Sequence, residues 1–194
     1  MNTKISVLFL IIGGWSLSIQ AQDFSLPSYQ VSLSYFGEMV THGGIRLGVA
    51  TPLSQKNKEK TDGQFVNKAW VLGGYLTYYK HPRNHTGLMF TGSIGRQRIG
   101  KKGFQTSIHF ETGYMFSRLD GEVFEWDGED IVEGKKGSSH IILGFNGGLG
   151  WNFTKTSDFP FSFMVQPHLY IQAPYNTLFA PRVALETKIA YQLK

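Results

Sequence analysis

The sequence has 194 residues, of which 41% are hydrophobic, 17% charged and 14% aromatic, with no Cys. That is the size of one domain, too aromatic and too weakly charged for a disordered chain, and without the cysteines that a disulfide scaffold, a thiolate metal site or a lipidated-cysteine anchor needs. The net charge of +5 does not mark a nucleic-acid binder, because many basic residues sit in two short polar segments, Lys56, Lys58, Lys60 and Lys101, Lys102, with no Arg-rich helix, zinc-finger spacing or RNP-like strand.

Residues Met1 to Ala21 carry Lys4, an apolar run from Ile5 to Ile12 extended through Trp15 and Leu17, and then small and polar residues up to Ala21-Gln22. This is the three-part layout of a secretory signal peptide. The run is too short for a spanning helix, which needs about 20 apolar residues. Residues 1–21 are therefore expected to be a cleaved signal peptide, and 22–194 one domain.

From Ser28 onward strict alternation of apolar and polar residues replaces any helical period. It begins with Val31, Leu33, Tyr35 against Gln30, Ser32, Ser34, and continues with Ile45, Leu47, Val49 against Arg46, Gly48, Ala50. Ala69 to Lys80 and Gly87 to Ile99 are strand-like but less regular. The clearest segment is Phe104 to Ser117, with Phe104, Ile108, Phe110, Tyr114 and Phe116 on one face, Gln105, His109 and Glu111 on the other, and Met115 as the single large apolar intruder on the polar face. Ile141 to Phe153, Phe161 to Gln172 and Arg182 to Leu193 repeat the pattern, which makes eight segments. Each has the ten or so residues that a tilted strand needs to cross a hydrocarbon layer. Turn signals separate them at Thr41 to Gly44, Ser54 to Lys68, His81 to Thr86, Gly100 to Gly103, Leu119 to Gly137, Thr154 to Asp158 and Pro174 to Leu178. The expected fold is all-β, an eight-stranded antiparallel up-and-down transmembrane β-barrel with both termini at one end.

The polar face is rich in Gly, Ser and Ala with scattered charges, and the apolar face carries the bulky aromatics. A narrow lumen filled by small residues and ion pairs, inside a lipid-facing wall, accounts for both. A soluble periplasmic lipocalin-like lipid carrier would need the reverse polarity, and no Gly-x-Trp motif sits near the first strand.

With a signal peptide and eight such strands, the chain resembles a small outer-membrane β-barrel protein of the Bacteroidetes type. The segment Gln172-Ala173-Pro174-Tyr175-Asn176 and the last strand, Ala184 to Leu193 with Tyr191 and Leu193 in alternating positions, carry this resemblance too. The strand departs from the usual assembly signal by ending on Lys194 and by having Lys188 where Gly is usual. The resemblance implies a Gram-negative cell envelope, a porin-like wall, outer-membrane localisation, contact with outer-membrane lipid and lipopolysaccharide, and insertion by the barrel-assembly machinery. It implies no particular activity, and no cofactor.

Two sets of residues stand out as candidate sites. Arg46, His109, Glu111, His168, Arg182, Glu186 and Lys188 fall on polar faces and are expected to form an ion-pair network in the lumen, since charges removed from water must be paired. A metal at His109 and His168 lacks a third ligand. In the segment Leu119 to Gly137, Val123-Phe124-Glu125-Trp126 leads through Asp127-Gly128 into Glu129-Asp130-Ile131-Val132, a type I′ hairpin signal. Phe124, Glu125, Trp126, Asp127, Glu129 and Asp130 then form an exposed, acidic external hairpin, a contact surface for a ligand, a protein partner or cations bridging lipopolysaccharide.

The competing class is a membrane-embedded enzyme acting on lipid A or phospholipid, which needs a His base beside a Ser nucleophile. No His is followed two residues on by Ser. A pair assembled across strands, Ser107 or Ser139 with His109 or His140, stays open, and the expectation is a structural or interaction protein without enzymatic activity.

Overall fold

The computed structural model describes residues 29–39, 42–59, 65–82, 84–175 and 178–193. The expected signal peptide lies outside these residues. The described residues form ten strands: β1 (Gln30–Glu38), β2 (His42–Glu59), β3 (Phe65–His81), β4 (His85–Gly100), β5 (Phe104–Leu119), β6 (Phe124–Trp126), β7 (Ile131–Glu133), β8 (Gly137–Asn152), β9 (Phe161–Tyr175) and β10 (Leu178–Gln192). Eight of them close into one antiparallel barrel in the order β1-β10-β9-β8-β5-β4-β3-β2, and β6 and β7 form a separate hairpin. Closure is made by β1 against β10, from Gln30 opposite Gln192 to Glu38 opposite Ala184.

The polarity follows the alternation. Val31, Leu33, Tyr35, Ile45, Leu47, Val49, Ile108, Phe110 and Phe145 face outward and are exposed, whereas Ser32, Ser34, Arg46, Gln105, Glu111, Asn146, Gln166 and Glu186 point inward and are buried. An apolar exterior on this scale is what hydrocarbon solvates and water does not. A ring without edges also leaves no unpaired row of backbone groups to face the lipid.

The barrel strands are longer than the crossing requires, 15 to 18 residues in all but the nine-residue β1. The excess corrects one expectation. Ser54 to Lys68 is not a long turn, because β2 and β3 keep pairing from Ser54 opposite Trp70 to Glu59 opposite Phe65, with a bulge between Pro52 and Ser54. Asn67 Nδ2 donates to Asn57 Oδ1 at 2.9 Å across this extension. Apart from Phe65 and Val66 the residues there are polar or glycine, so no apolar stripe marks the strands, and backbone pairing carries them.

Inside the half of the barrel away from the termini sits an apolar plug of Phe36, Tyr79, Met89, Met115, Ile142, Tyr170 and Ala184. Met115, the intruder on its polar face, belongs here. The plug depends on missing side chains next to it: a Cβ at Gly87 would lie 2.3 Å from the Tyr79 ring, and one at Gly44 would lie 2.6 Å from Tyr79 Cβ. Outward-facing Gly74 has nothing within 4 Å of its Cβ position. Gly87→Ala is therefore expected to displace Tyr79 and destabilise the barrel by about 1–3 kcal/mol, with Gly74→Ala neutral, as read from urea unfolding midpoints in detergent.

Candidate functional site

The middle of the lumen is built around Arg46. This side chain projects from β2 and is 1% exposed. Its Nη2 meets Glu111 Oε1 of β5 at 2.5 Å, and its Nε lies 3.8 Å from Glu186 Oε2 of β10. The guanidinium carbon also sits 4.2 Å from the ring centroid of Tyr75 and 5.5 Å from that of Phe36, so ring faces take the sides that oxygens leave uncovered. His168 of β9 bridges the same two carboxylates, with Nε2 2.8 Å from Glu186 Oε2 and Nδ1 3.5 Å from Glu111 Oε2. Ser34 donates to Glu186 at 2.6 Å and Asn146 to Glu111 at 3.1 Å.

Four of the seven expected lumen residues, Arg46, Glu111, His168 and Glu186, thus meet in one cluster. The other three lie elsewhere. Arg182 sits nearer the mouth away from the termini, with Nη1 3.6 Å from Glu38 Oε1, an oxygen that also accepts from Tyr170. His109 and Lys188 line a small cavity of about 20 Å³ toward the termini, with Gln97, Gln105 and Met164 among its other walls. The reason is tilt and stagger, which carry residues on one polar face to different heights along the barrel. Glu38 continues the inward series of β1 and is the partner that the sequence pattern did not single out.

Plug and cluster together fill the cross-section. The space between them, lined by Phe36, Arg46, Met89, Glu111 and Ile142, is about 10 Å³, at the threshold for a single water. The termini end opens into a polar cavity of about 110 Å³, which Gln55, Asn67, Gln97 and Asn152 help to line.

Three histidines meet at the far mouth, with the His42 and His81 rings tilted to one another at 3.6 Å and the His81 and His85 rings stacked at 5.5 Å between centroids. Among the described residues no group of three or more His, Asp or Glu side chains is placed to hold a metal ion.

The cross-strand serine and histidine pairs resolve differently from the sequence candidates. Ser139 Oγ accepts from Tyr114, and Ser107 Oγ accepts from Gln166 at 3.2 Å. It is Ser138 and Ser117 that meet His140, at 3.0 Å and 3.2 Å from Nε2, while His140 Nδ1 lies 2.5 Å from the Pro174 carbonyl oxygen. A carbonyl only accepts, so Nδ1 carries the hydrogen and Nε2 is left to accept from a serine hydroxyl. The signal in the sequence is Ser-x-His, the reverse of the order usually sought.

Beyond the barrel rim, β6 and β7 pair from Phe124 opposite Glu133 to Trp126 opposite Ile131. Trp126 is 67% and Ile131 71% exposed, and Phe124 also faces solvent. The turn differs from the expected type I′: Gly128 has φ +112° but Glu129 does not have positive φ, and Asp127 and Asp130 flank the pair. Glycine first is the sign pattern of a type II′ turn. Asp127 Oδ1 accepts from the Asp130 and Glu129 amides at 2.8 and 2.9 Å, which holds its pKa below the usual carboxylate value. The pKa of Glu133 is lowered likewise by Lys136, 2.9 Å away.

No protein-family model matches the chain, and no curated protein matches it in sequence. Solved structures do match in shape. Neisserial surface protein A aligns over 86% of this chain and 95% of its own at 9% identity, with a TM-score of 0.50. The outer membrane enzyme PagL aligns over 85% and 99% at 15% identity (TM-score 0.43), and the attachment invasion locus protein Ail of Yersinia pestis over 86% and 95% at 10% (TM-score 0.37). The fold is that of the small eight-stranded outer-membrane barrels.

Removing one partner from a buried ion cluster leaves an uncompensated charge. Arg46→Met is expected to cost about 3–5 kcal/mol, and Arg182→Met less because Arg182, unlike Arg46, is itself partly exposed; urea titration of the refolded barrel measures both.

Proposed function

We propose that this chain is a non-enzymatic outer-membrane barrel of the cell envelope, of the small Bacteroidetes kind, that presents the β6–β7 hairpin outward as its contact surface. The observation that carries this reading is the contrast between a lumen filled by plug and ion cluster and a hairpin that exposes Phe124, Trp126 and Ile131 among acids. Aromatic side chains held in water on a stiff, two-stranded support are typical anchors for a partner. The termini end lies in the periplasm in this reading, since long loops of such barrels face outward and the longest connection, from Leu119 to Gly137, leaves the opposite end. A signal peptide over 1–21 delivers the chain, the assembly machinery inserts it, and lipid and lipopolysaccharide surround it.

The test is a photo-crosslinker at Trp126 in intact cells. The expected outcome is an adduct with lipopolysaccharide or a surface protein, lost when Val123–Val132 is deleted, while the shortened barrel still migrates differently before and after boiling. Absence of any adduct, with every envelope phenotype unchanged by the deletion, would overturn the hairpin's role.

One observation favours a second reading, a hydrolase for lipid esters at the outer rim. Ser138, His140 and the Pro174 carbonyl have the order and tautomer of a nucleophile, a general base and an orienting acceptor. A fluorophosphonate probe decides between the readings. Labelling that vanishes in Ser138→Ala and in His140→Gln selects the enzyme, and the non-enzymatic reading expects none.

A further inference from the structure

At the termini end of the outward face, three cations stand in one row across adjacent strands. Lys56 of β2 is opposite Lys68 of β3, which is opposite Arg98 of β4. In the next row toward the middle of the barrel, Trp70 is opposite Arg96, whose guanidinium carbon lies 4.7 Å from a Trp70 ring centroid, and Arg96 is opposite Ile108. Both rows line a single groove of about 560 Å³.

Like charges directly opposite on neighbouring strands repel. The ion pairs among the described residues involve Arg46, Lys136, His168 and Arg182 and not this row, and the groove is lined by Lys56, Lys68, Arg96 and Arg98 with no acid among its described residues. Of the described acids, those of 120–133 lie at the opposite end and Glu38, Glu111 and Glu186 in the lumen, which leaves Asp158 in the β8–β9 connection and Glu59 at the end of β2, opposite Phe65. Elsewhere around the same end the wall is closed by aromatic contacts, Phe104 with Trp151, Phe159 with Phe161 and Phe161 with Tyr191. The β2–β4 sector has cations in their place.

Directly above the groove the outward ladder turns apolar, with Leu72 opposite Ile94 and Ile94 opposite Phe110, all exposed. A cationic floor at the water side and an apolar wall on the membrane side match the polarity of a glycerophospholipid standing in the leaflet. We infer that this groove holds the headgroup of an anionic phospholipid in the leaflet at the termini end. Lys56, Lys68 and Arg98 surround its phosphate, Arg96 and Trp70 lie at the glycerol level, and the acyl chains run along Ile108 and the apolar ladder. A lipid fits better than an acidic protein, because Trp70 and Ile108, 42% and 61% exposed, continue the lipid-facing band into the groove itself.

The inference rests on the proposed membrane placement, so the test reads the two separately. The full chain is refolded into phosphatidylcholine vesicles containing phosphatidylglycerol. A gel shift on boiling reports insertion, and native mass spectrometry of the extracted barrel reports retained lipid. Phosphatidylglycerol is expected to be retained over phosphatidylcholine by on the order of tenfold. The triple variant Lys56→Gln, Lys68→Gln, Arg98→Gln should insert equally and lose the preference, and Lys68→Gln alone should lose about threefold. Lys101→Gln with Lys102→Gln, the same end and outside the groove, should keep it. Equal retention of the two lipids by the inserted wild-type barrel would overturn the inference, as would a preference that survives Lys68→Gln and the triple variant or disappears with Lys101 and Lys102. Binding of a polyglutamate peptide without lipid preference would overturn it in favour of a protein partner. Failure of the wild-type chain to insert would overturn the membrane placement, and this inference with it.

Discussion

A wall that is apolar outside must carry its charges inside, and in this barrel that requirement centres on Arg46. The guanidinium cannot reach water, so Glu111 and Glu186 are drawn from two further strands to meet it, and His168 closes the group from a fourth. Strands β2, β5, β9 and β10 are thereby tied together through the middle of the lumen, independently of their edges. Such a cluster contributes little net stability when compared with apolar packing, but it penalises any other strand register heavily, because a slipped strand would strand a charge.

The cluster also explains why the lumen is a filled core. Arg46 spreads over Tyr75 and Phe36, and Phe36 continues into the plug with Tyr79, Met89 and Met115. Polar and apolar layers are stacked, each sealing the other from solvent. An eight-stranded ring is about wide enough for side chains alone, and here large residues are admitted where facing glycines such as Gly44 and Gly87 make room.

The fold was largely legible because a membrane barrel writes its two solvents into alternate residues. Val31, Leu33 and Tyr35 against Ser32 and Ser34 carry strand, polarity and register at once. Legibility fails where that contrast fails. From Ser54 to Lys68 only Phe65 and Val66 interrupt a run of polar residues and glycine, so an extended hairpin looks like a turn. In the plug, Phe36, Met89 and Ile142 sit on faces that are polar elsewhere, and only the regularity around Met115 exposes one of them in advance. Height along the axis is invisible to a period of two: Arg46 and Arg182 share a face type, yet one meets Glu111 and the other Glu38. The meeting of Ser117, Ser138 and His140 has the same origin, since it needs the β5–β8 register that places Ser117 opposite Ser138.

The two ends of the molecule are chemically opposed, and this bears on how it sits in an asymmetric membrane. Acids gather in the 120–133 loop and cations on the outward face of β2, β3 and β4 at the termini end. A lipopolysaccharide surface is bridged by divalent cations, which an acidic hairpin can share and a cationic one would displace. A phospholipid leaflet offers phosphates, which the Lys56, Lys68 and Arg98 row can neutralise and a carboxylate row could not. In the proposed placement, with termini inward, each end meets the surface its charge suits, and with the barrel inverted both would meet the wrong one. Charge placement and loop length thus favour the same orientation by separate physical routes.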